Sequence, residues 1–166
     1  MEPRSGSPIT VAVDVLGDRW TLLVLRDIIF GDRRHFRALL TGSAEGIASN
    51  ILADRLKRLL DAGLLARGGV AVRGQRARFS LTEAGIRTLP IICALGDWGL
   101  DWSFGSDDLR SRQQLIRDEG PPFIEELMDE LRVRHLDATP RTRSGPGAFE
   151  RLEAAGRQPL SGPSTG

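Results

Sequence analysis

Apolar positions in the first hundred residues recur at helical spacing, and glycines break the runs. Ile9 to Leu16 is a short apolar-rich stretch ended by Gly17, which predicts a first short helix. Asp18 stands where an N-cap belongs, ahead of a second helix starting at Arg19 or Trp20 and running to Phe30. That segment is apolar on most sides, so it is expected to be the central buried helix. Arg34 to Leu40 predicts a third short helix with Phe36, Leu39 and Leu40 toward the core. The small and polar residues Thr41–Gly46 form a turn, and a fourth helix follows from about Ala48 to Ala62, with Gly63 as its stop. Two helices joined this closely resemble a helix-turn-helix.

Beyond Gly63 the period changes. Leu64–Arg67, Val70–Arg73 and Arg76–Leu81 are short β-prone runs separated by glycines, which predict a two- or three-stranded hairpin, a wing. Thr82 then caps a fifth helix expected to continue to about Trp102. This helix has two apolar stripes. One is Ala84, Thr88, Ile91, Leu95, Trp98 and Trp102; the other is Ile86, Leu89, Ile92, Cys93 and Leu100. A helix apolar on two sides must bury both, so one side is expected to meet a second subunit, with Ile9, Ile91, Leu95, Trp98 and Trp102 at the interface. Two further helices, Asp107–Arg117 and Pro121–His135, are split by Gly120-Pro121-Pro122. Past Thr139 the chain is rich in Pro, Gly, Ser and Arg, the composition of a disordered tail.

The pattern therefore predicts a mainly α chain with a small β-hairpin wing, an α+β winged helix-turn-helix with a C-terminal helical extension. Its divisions are 7–102, a DNA-binding and dimerisation domain; 103–137, the helical extension; and 138–166, the tail. Charge adds direction. The net charge is only +1, but residues 1–105 hold 14 basic against 11 acidic residues and residues 106–166 hold 9 against 11. Between Arg55 and Arg78 seven basic residues face a single acidic one, Asp61, a local electrostatic footprint for phosphates. No run approaches the roughly 18 apolar residues of a membrane span. The N-terminus has no basic start followed by an apolar stretch, so no secretory signal is expected and a cytoplasmic, nucleoid-associated protein is the default. The single cysteine, Cys93, leaves no intrachain disulfide and no thiolate cluster for zinc.

In sequence order these motifs resemble the HxlR-type winged helix-turn-helix regulators, relatives of the MarR group. Ser7-Pro8-Ile9 occupies the family's Cys-Pro-Val position, and Gly17-Asp18-Arg19-Trp20 its Gly-x-x-Trp. Phe30-Gly31, Arg34-His35-Phe36, Gly46-Ile47-Ala48, Leu52, Arg55-Leu56, Phe79-Ser80-Leu81-Thr82-Glu83-Ala84-Gly85 and Asp97-Trp98-Gly99 follow at matching positions. The resemblance covers about residues 7–102 and stops before 103. It implies a transcriptional regulator, expected to be a repressor, that binds double-stranded DNA as a homodimer on a pseudo-palindromic operator. Several family members sense oxidants through the cysteine of Cys-Pro-Val. Here Ser7 stands in its place and cannot do thiolate chemistry, so another signal is expected. Cys93, on an apolar stripe, reads as a packed inert thiol.

At 100° per residue the fourth helix turns Leu52, Leu56 and Leu59 inward, with Ile51 and Leu60 at the edges. Its outward side holds Ser49, Asn50, Ala53, Asp54, Lys57, Arg58 and Asp61. Asn50 suits adenine edges, Ser49 a base or phosphate, and Ala53 close approach to a thymine methyl; Lys57 and Arg58 suit phosphates. Asp54 would repel phosphate, so it either accepts from a cytosine amino group or pairs with a nearby arginine. Arg55, near the buried edge, is structural or DNA-binding. In the wing and its flank, Arg73, Gln75, Arg76, Arg78, Arg33 and Arg34 are expected to contact the backbone or minor groove.

Two other classes compete. Catalysis has little to build on: His35 and His135 are the only histidines, and no nucleophile-base spacing, phosphate-cradling loop or metal cluster accompanies them. No catalytic residue, metal or cofactor is expected. A winged helix serving only protein association is the alternative reading. It would favour a neutral or acidic outward helix face, against Lys57, Arg58 and the wing arginines. A small-molecule effector is a candidate partner, in a pocket lined by Trp98, Trp102, Phe123 and Leu127; packed core accounts for the same aromatics.

Overall fold

The computed structural model describes residues 6–68, 77–102 and 105–157. They form two compact units, divided after Ile86. In the N-terminal unit, α1 (Pro8–Leu16) is followed by α2 (Arg19–Gly31), α3 (Phe36–Gly42) and α4 (Ser49–Asp61). Strands β1 (Leu65–Gly68) and β2 (Arg78–Leu81) and the single-turn α5 (Glu83–Ile86) complete it. The core is built from Val24, Leu25, Ile28 and Ile29 of α2, Leu39 of α3, and Leu52, Leu56 and Leu59 of α4, closed by Leu65, Phe79, Leu81 and Ile86. The α2 helix is central, as its pattern predicts, and packs against both α3 and α4.

Local chemistry sets the ends of these helices. Asp18 accepts hydrogen bonds from the amides of Trp20 (3.0 Å) and Thr21 (3.2 Å), so the predicted N-cap of α2 is present. Gly63, at φ +71°, ends α4. Its amide donates to the Leu60 carbonyl (3.0 Å) and the Leu64 amide to that of Leu59 (2.9 Å), a Schellman closure that needs a left-handed residue. Antiparallel β1 and β2 pair Leu65 with Leu81 and Gly68 with Arg78. A bridge from His35 to Arg78 adds the segment before α3 to the outer edge of β2. Thr82 caps α5 through the Gly85 amide (3.1 Å) and donates its hydroxyl hydrogen to the Gly63 carbonyl (2.6 Å), tying the end of α4 to the hairpin's exit. Gly85 is required here, because a Cβ at this position would overlap the Leu64 carbonyl oxygen.

The C-terminal unit contains α6 (Leu89–Trp102), α7 (Asp107–Glu119), α8 (Pro121–Leu136) and α9 (Ala148–Gly156). Two expectations are corrected here. The fifth helix is not continuous from Thr82: it breaks at Arg87-Thr88, and Pro90 falls in the first turn of α6. A proline has no amide hydrogen to continue the α5 ladder, and its ring excludes the preceding turn's carbonyl. The division between the two units falls at this break, after Ile86. The region expected to be a tail contains α9, which packs on α7 and α8 and buries Ala148, Phe149 and Leu152. Its N-cap position is Gly147, which has no side chain to give. Glu130 of α8 caps it instead, accepting from the amides of Ala148 and Phe149. Arg134 lies over the Phe149 ring (4.1 Å) and Arg151 over Phe123 (4.7 Å).

Candidate nucleic-acid interface

The α4 helix separates its residues as its period requires. Leu52, Leu56 and Leu59 are buried, Ile51 and Leu60 lie at the edges, and Ser49, Asn50, Ala53, Asp54, Lys57, Arg58 and Asp61 are exposed. Gly46, at φ +69°, turns the chain from α3 toward α4. Arg26 of α2 braces that turn through a two-pronged pair with Glu45, at 2.7 and 2.9 Å. The guanidinium holds the Glu45 carboxyl down at about 2. The α4 N-cap is Ala48, and no side chain caps the first turn. Amides of that turn therefore remain at an exposed helix end that favours anions.

The charges on α4 are ordered by ion pairs. Arg55 donates from Nε to Asp18 Oδ1 (2.7 Å) and from its amino group to Asp54 Oδ2. Burial of Asp18 would raise its pKa, but hydrogen bonds from Thr21 and Arg55 outweigh this and hold it below the usual range. Arg58 Nε lies 3.3 Å from Asp54 Oδ2, and Lys57 Nζ 2.6 Å from Asp61 Oδ2. Arg55 therefore joins α4 to the N-cap of α2, a structural role, and Asp54 has its arginine partners. The link between Asp18 and Arg55 was not predicted. Its signals were an arginine at the buried edge of α4 and a cap residue at the start of α2, with no spacing rule to connect them across 37 positions.

The wing flank differs from expectation. Arg34 is buried; its Nε donates to the Phe79 carbonyl (3.1 Å) and its amino group to the Ser80 hydroxyl. Its carbonyl accepts from the Phe79 amide (2.7 Å). A guanidinium so enclosed holds β2 to the start of α3 and is not a surface phosphate contact. Arg33 is half-buried and lies 3.2 Å from the buried carboxylate of Asp27. Arg78 is exposed at the foot of β2. Arg73, Gln75 and Arg76 lie outside the described residues. Of the two histidines, His35 lies beside the Ala77 carbonyl (3.3 Å) and His135 is buried in α8.

A sequence model of the HxlR-like helix-turn-helix family matches residues 15–106. The chain belongs to that family. It is 35% identical over 118 residues to the HTH-type transcriptional regulator Rv3095 of Mycobacterium tuberculosis, a match covering 71% of this chain and 65% of that protein. The chain thus spans just under two thirds of this relative's length. It is 33% identical to the HTH-type transcriptional regulator sll1512 of Synechocystis over 57% of this chain and 69% of that one. Among solved structures it is similar to PA1607, described as a candidate transcription factor. The TM-score is 0.55 at 31% identity, covering 63% of this chain and 70% of that chain. The fold is thus a winged helix-turn-helix with a further helical unit.

In the helical unit, α6 buries Leu89, Cys93 and Leu100. Its other stripe is open: Ile91 is 43%, Leu95 50%, Trp98 67% and Trp102 72% exposed, with the two indoles stacked at 6.1 Å. The α1 helix likewise has no buried residue, and Ile9, Val11, Val13 and Val15 are exposed. The structure gives the four residues of the expected pocket, Trp98, Trp102, Phe123 and Leu127, two different settings. The indoles stand on the open stripe of α6, while Phe123 and Leu127 are buried among the helices of the unit. Burial pushes the Cys93 thiol up to about 12, so it stays protonated and unreactive near neutrality. Among the described residues no group of His, Cys, Asp or Glu is placed to hold a metal ion, and no helix is long and apolar enough to cross a membrane.

Proposed function

We propose that this protein is a transcriptional regulator that binds a specific double-stranded DNA site as a homodimer. The observation that carries the reading is the outward face of α4. Asn50, Ala53, Asp54, Lys57 and Arg58 are all exposed on a helix whose opposite side is locked into the core. A helix of this kind enters the major groove with its N-terminal half against base edges. Asn50 then reads adenine, Ser49 and the first-turn amides take phosphate or base, and Lys57 and Arg58 reach phosphates. Arg78 and the wing residues Arg73, Gln75 and Arg76 grip the flanking backbone; Arg33 adds a contact at the start of α3.

The apolar faces of α1 and α6 support the dimer. Each is too apolar to remain in water, and a two-fold axis that buries them gives two reading helices. Successive major grooves then present half-sites about 10 bp apart centre to centre. Bound across a promoter, such a dimer represses by exclusion, in the cytoplasm, where bacterial DNA lies. Its release answers a signal other than oxidation of an N-terminal cysteine, since Ser7 stands there; a small-molecule effector is one such signal.

The test is a mobility shift with footprinting on the DNA upstream of the protein's own gene, across a salt series. A protected pseudo-palindrome at nanomolar protein is the expected result. Weak, salt-sensitive and sequence-blind binding on every fragment would overturn the proposal.

A further inference from the structure

Five charged side chains crowd the outer half of α4: Asp54, Arg55, Lys57, Arg58 and Asp61. All three cations are already paired, Lys57 with Asp61, Arg58 with Asp54, and Arg55 with both Asp18 and Asp54. This face is therefore closer to neutral than its arginine and lysine content suggests. A carboxylate facing a phosphate-lined groove opposes sequence-blind attraction, so Asp54 needs a compensating partner when DNA is bound.

The geometry around Asp54 supplies one kind of partner. Both arginine contacts land on Oδ2. Oδ1 takes no hydrogen bond or ion pair from a described residue, and the side chain is 51% exposed. The brace is firm, because Arg55 is only 17% exposed and is anchored by Asp18 at the N-cap of α2. Asn50 stands one helical turn before Asp54 on the same face, and the small Ala53 lies beside it. A fixed, half-open carboxylate oxygen next to an amide side chain is an acceptor for an amino group at a base edge. Cytosine N4 is the major-groove donor that carboxylates accept.

We propose, on the footing that α4 is the DNA-reading helix, that Asp54 determines specificity by accepting a hydrogen bond from the N4 amino group of a cytosine. Oδ2 stays braced by Arg55 meanwhile, and Arg55 is the positioning residue. Asp54 thus lowers affinity for DNA in general and restores it only at sites with a C·G pair at one fixed place in each half-site.

The experiment selects sites from a randomised double-stranded DNA pool with the full-length protein and with Asp54→Asn, Asp54→Glu and Asp61→Asn. Binding of each to its selected site and to mixed-sequence DNA is then measured. Wild type, Asp54→Glu and Asp61→Asn are expected to retain the cytosine, and Asp54→Asn to lose that preference by at least roughly fivefold. Both asparagine variants remove one negative charge, so both are expected to bind mixed-sequence DNA several-fold more tightly. Retention of the glutamate variant's preference separates acceptor chemistry from a packing effect. If wild type selects a site and Asp54→Asn selects the same one equally strongly, this inference falls while the DNA-reading role of α4 stands. If wild type selects no site, the DNA-reading role falls first and takes this inference with it.

Discussion

The helices α4 and α6 have 13 and 14 residues and bury three side chains each, yet their open faces are opposites. The α4 helix shows water Ser, Asn, Asp, Lys and Arg; α6 shows it Ile, Leu and two Trp. The open face of α4 is content in solvent and can exchange water for polar base edges at small net cost. The open face of α6 gains free energy from any apolar partner, at roughly 25 cal/mol per Å² removed from water. One face is therefore suited to recognition of a polar surface and the other to permanent association. Within one short chain, the same helical period yields both kinds of face through the chemistry of the outward positions alone.

The largest effect that breaks this comparison is expected from Leu95→Glu combined with Trp98→Glu. Charge on the apolar face of α6 should convert the proposed dimer to monomer in sedimentation equilibrium. Operator affinity should fall by at least roughly 100-fold as the two half-sites are no longer linked. An unchanged mass would show that the face is not the subunit contact. On the other helix, Asn50→Ala is expected to weaken specific binding roughly tenfold to a hundredfold, with binding to mixed-sequence DNA nearly unchanged; equal losses on both would remove Asn50 from base reading. Asp18→Ala is expected to cost about 1.5 kcal/mol in urea unfolding, because it removes the α2 cap and the Arg55 anchor together. A loss below a few tenths would mean that the anchor contributes nothing to the placing of α4.

The smallest effects sharpen the contrast by pH. The Glu45 carboxyl, ordinarily near 4.5, is held at about 2. Its contribution is complete above 4.5 and is lost as pH falls toward 2. Allowing for solvent screening of a partly exposed pair, it is worth about 1 kcal/mol, and Glu45→Gln should abolish that part of the acid transition. Cys93 has the opposite sign. Its thiol, ordinarily near 9.0, is raised to about 12 by burial, so the unfolded chain ionises first and stability falls between those values as pH rises. Acid should therefore loosen the frame of α4 and alkali that of α6. Cys93→Ser curves that fall as steeply as wild type above pH 9 would contradict the second half.

Much of the polar face of α4 was legible because helical period and burial are local properties. The leucines of α4 at positions 52, 56 and 59 fix which side is out, and Gly63 and Asp18 mark ends through their own backbone and side chain. Arg34 was misjudged for a physical reason. An arginine beside another arginine looks like a surface charge until a β-strand arrives 45 residues later with a carbonyl to receive it. Helix α9 was missed because its cap is the distant Glu130, and Gly147 carries no cap signal of its own.

The order of elements from α1 to β2, the polar face of α4 and the redox-silent serine at position 7 were determined by the sequence itself, since each depends on residue type and spacing along a few turns. Tertiary structure decided which of the two stripes of α6 is covered, that Arg55 of α4 is anchored by Asp18, and whether the last helix forms. The contacts behind those outcomes join groups separated by 18 to 45 residues, and only the folded chain brings them within hydrogen-bonding distance.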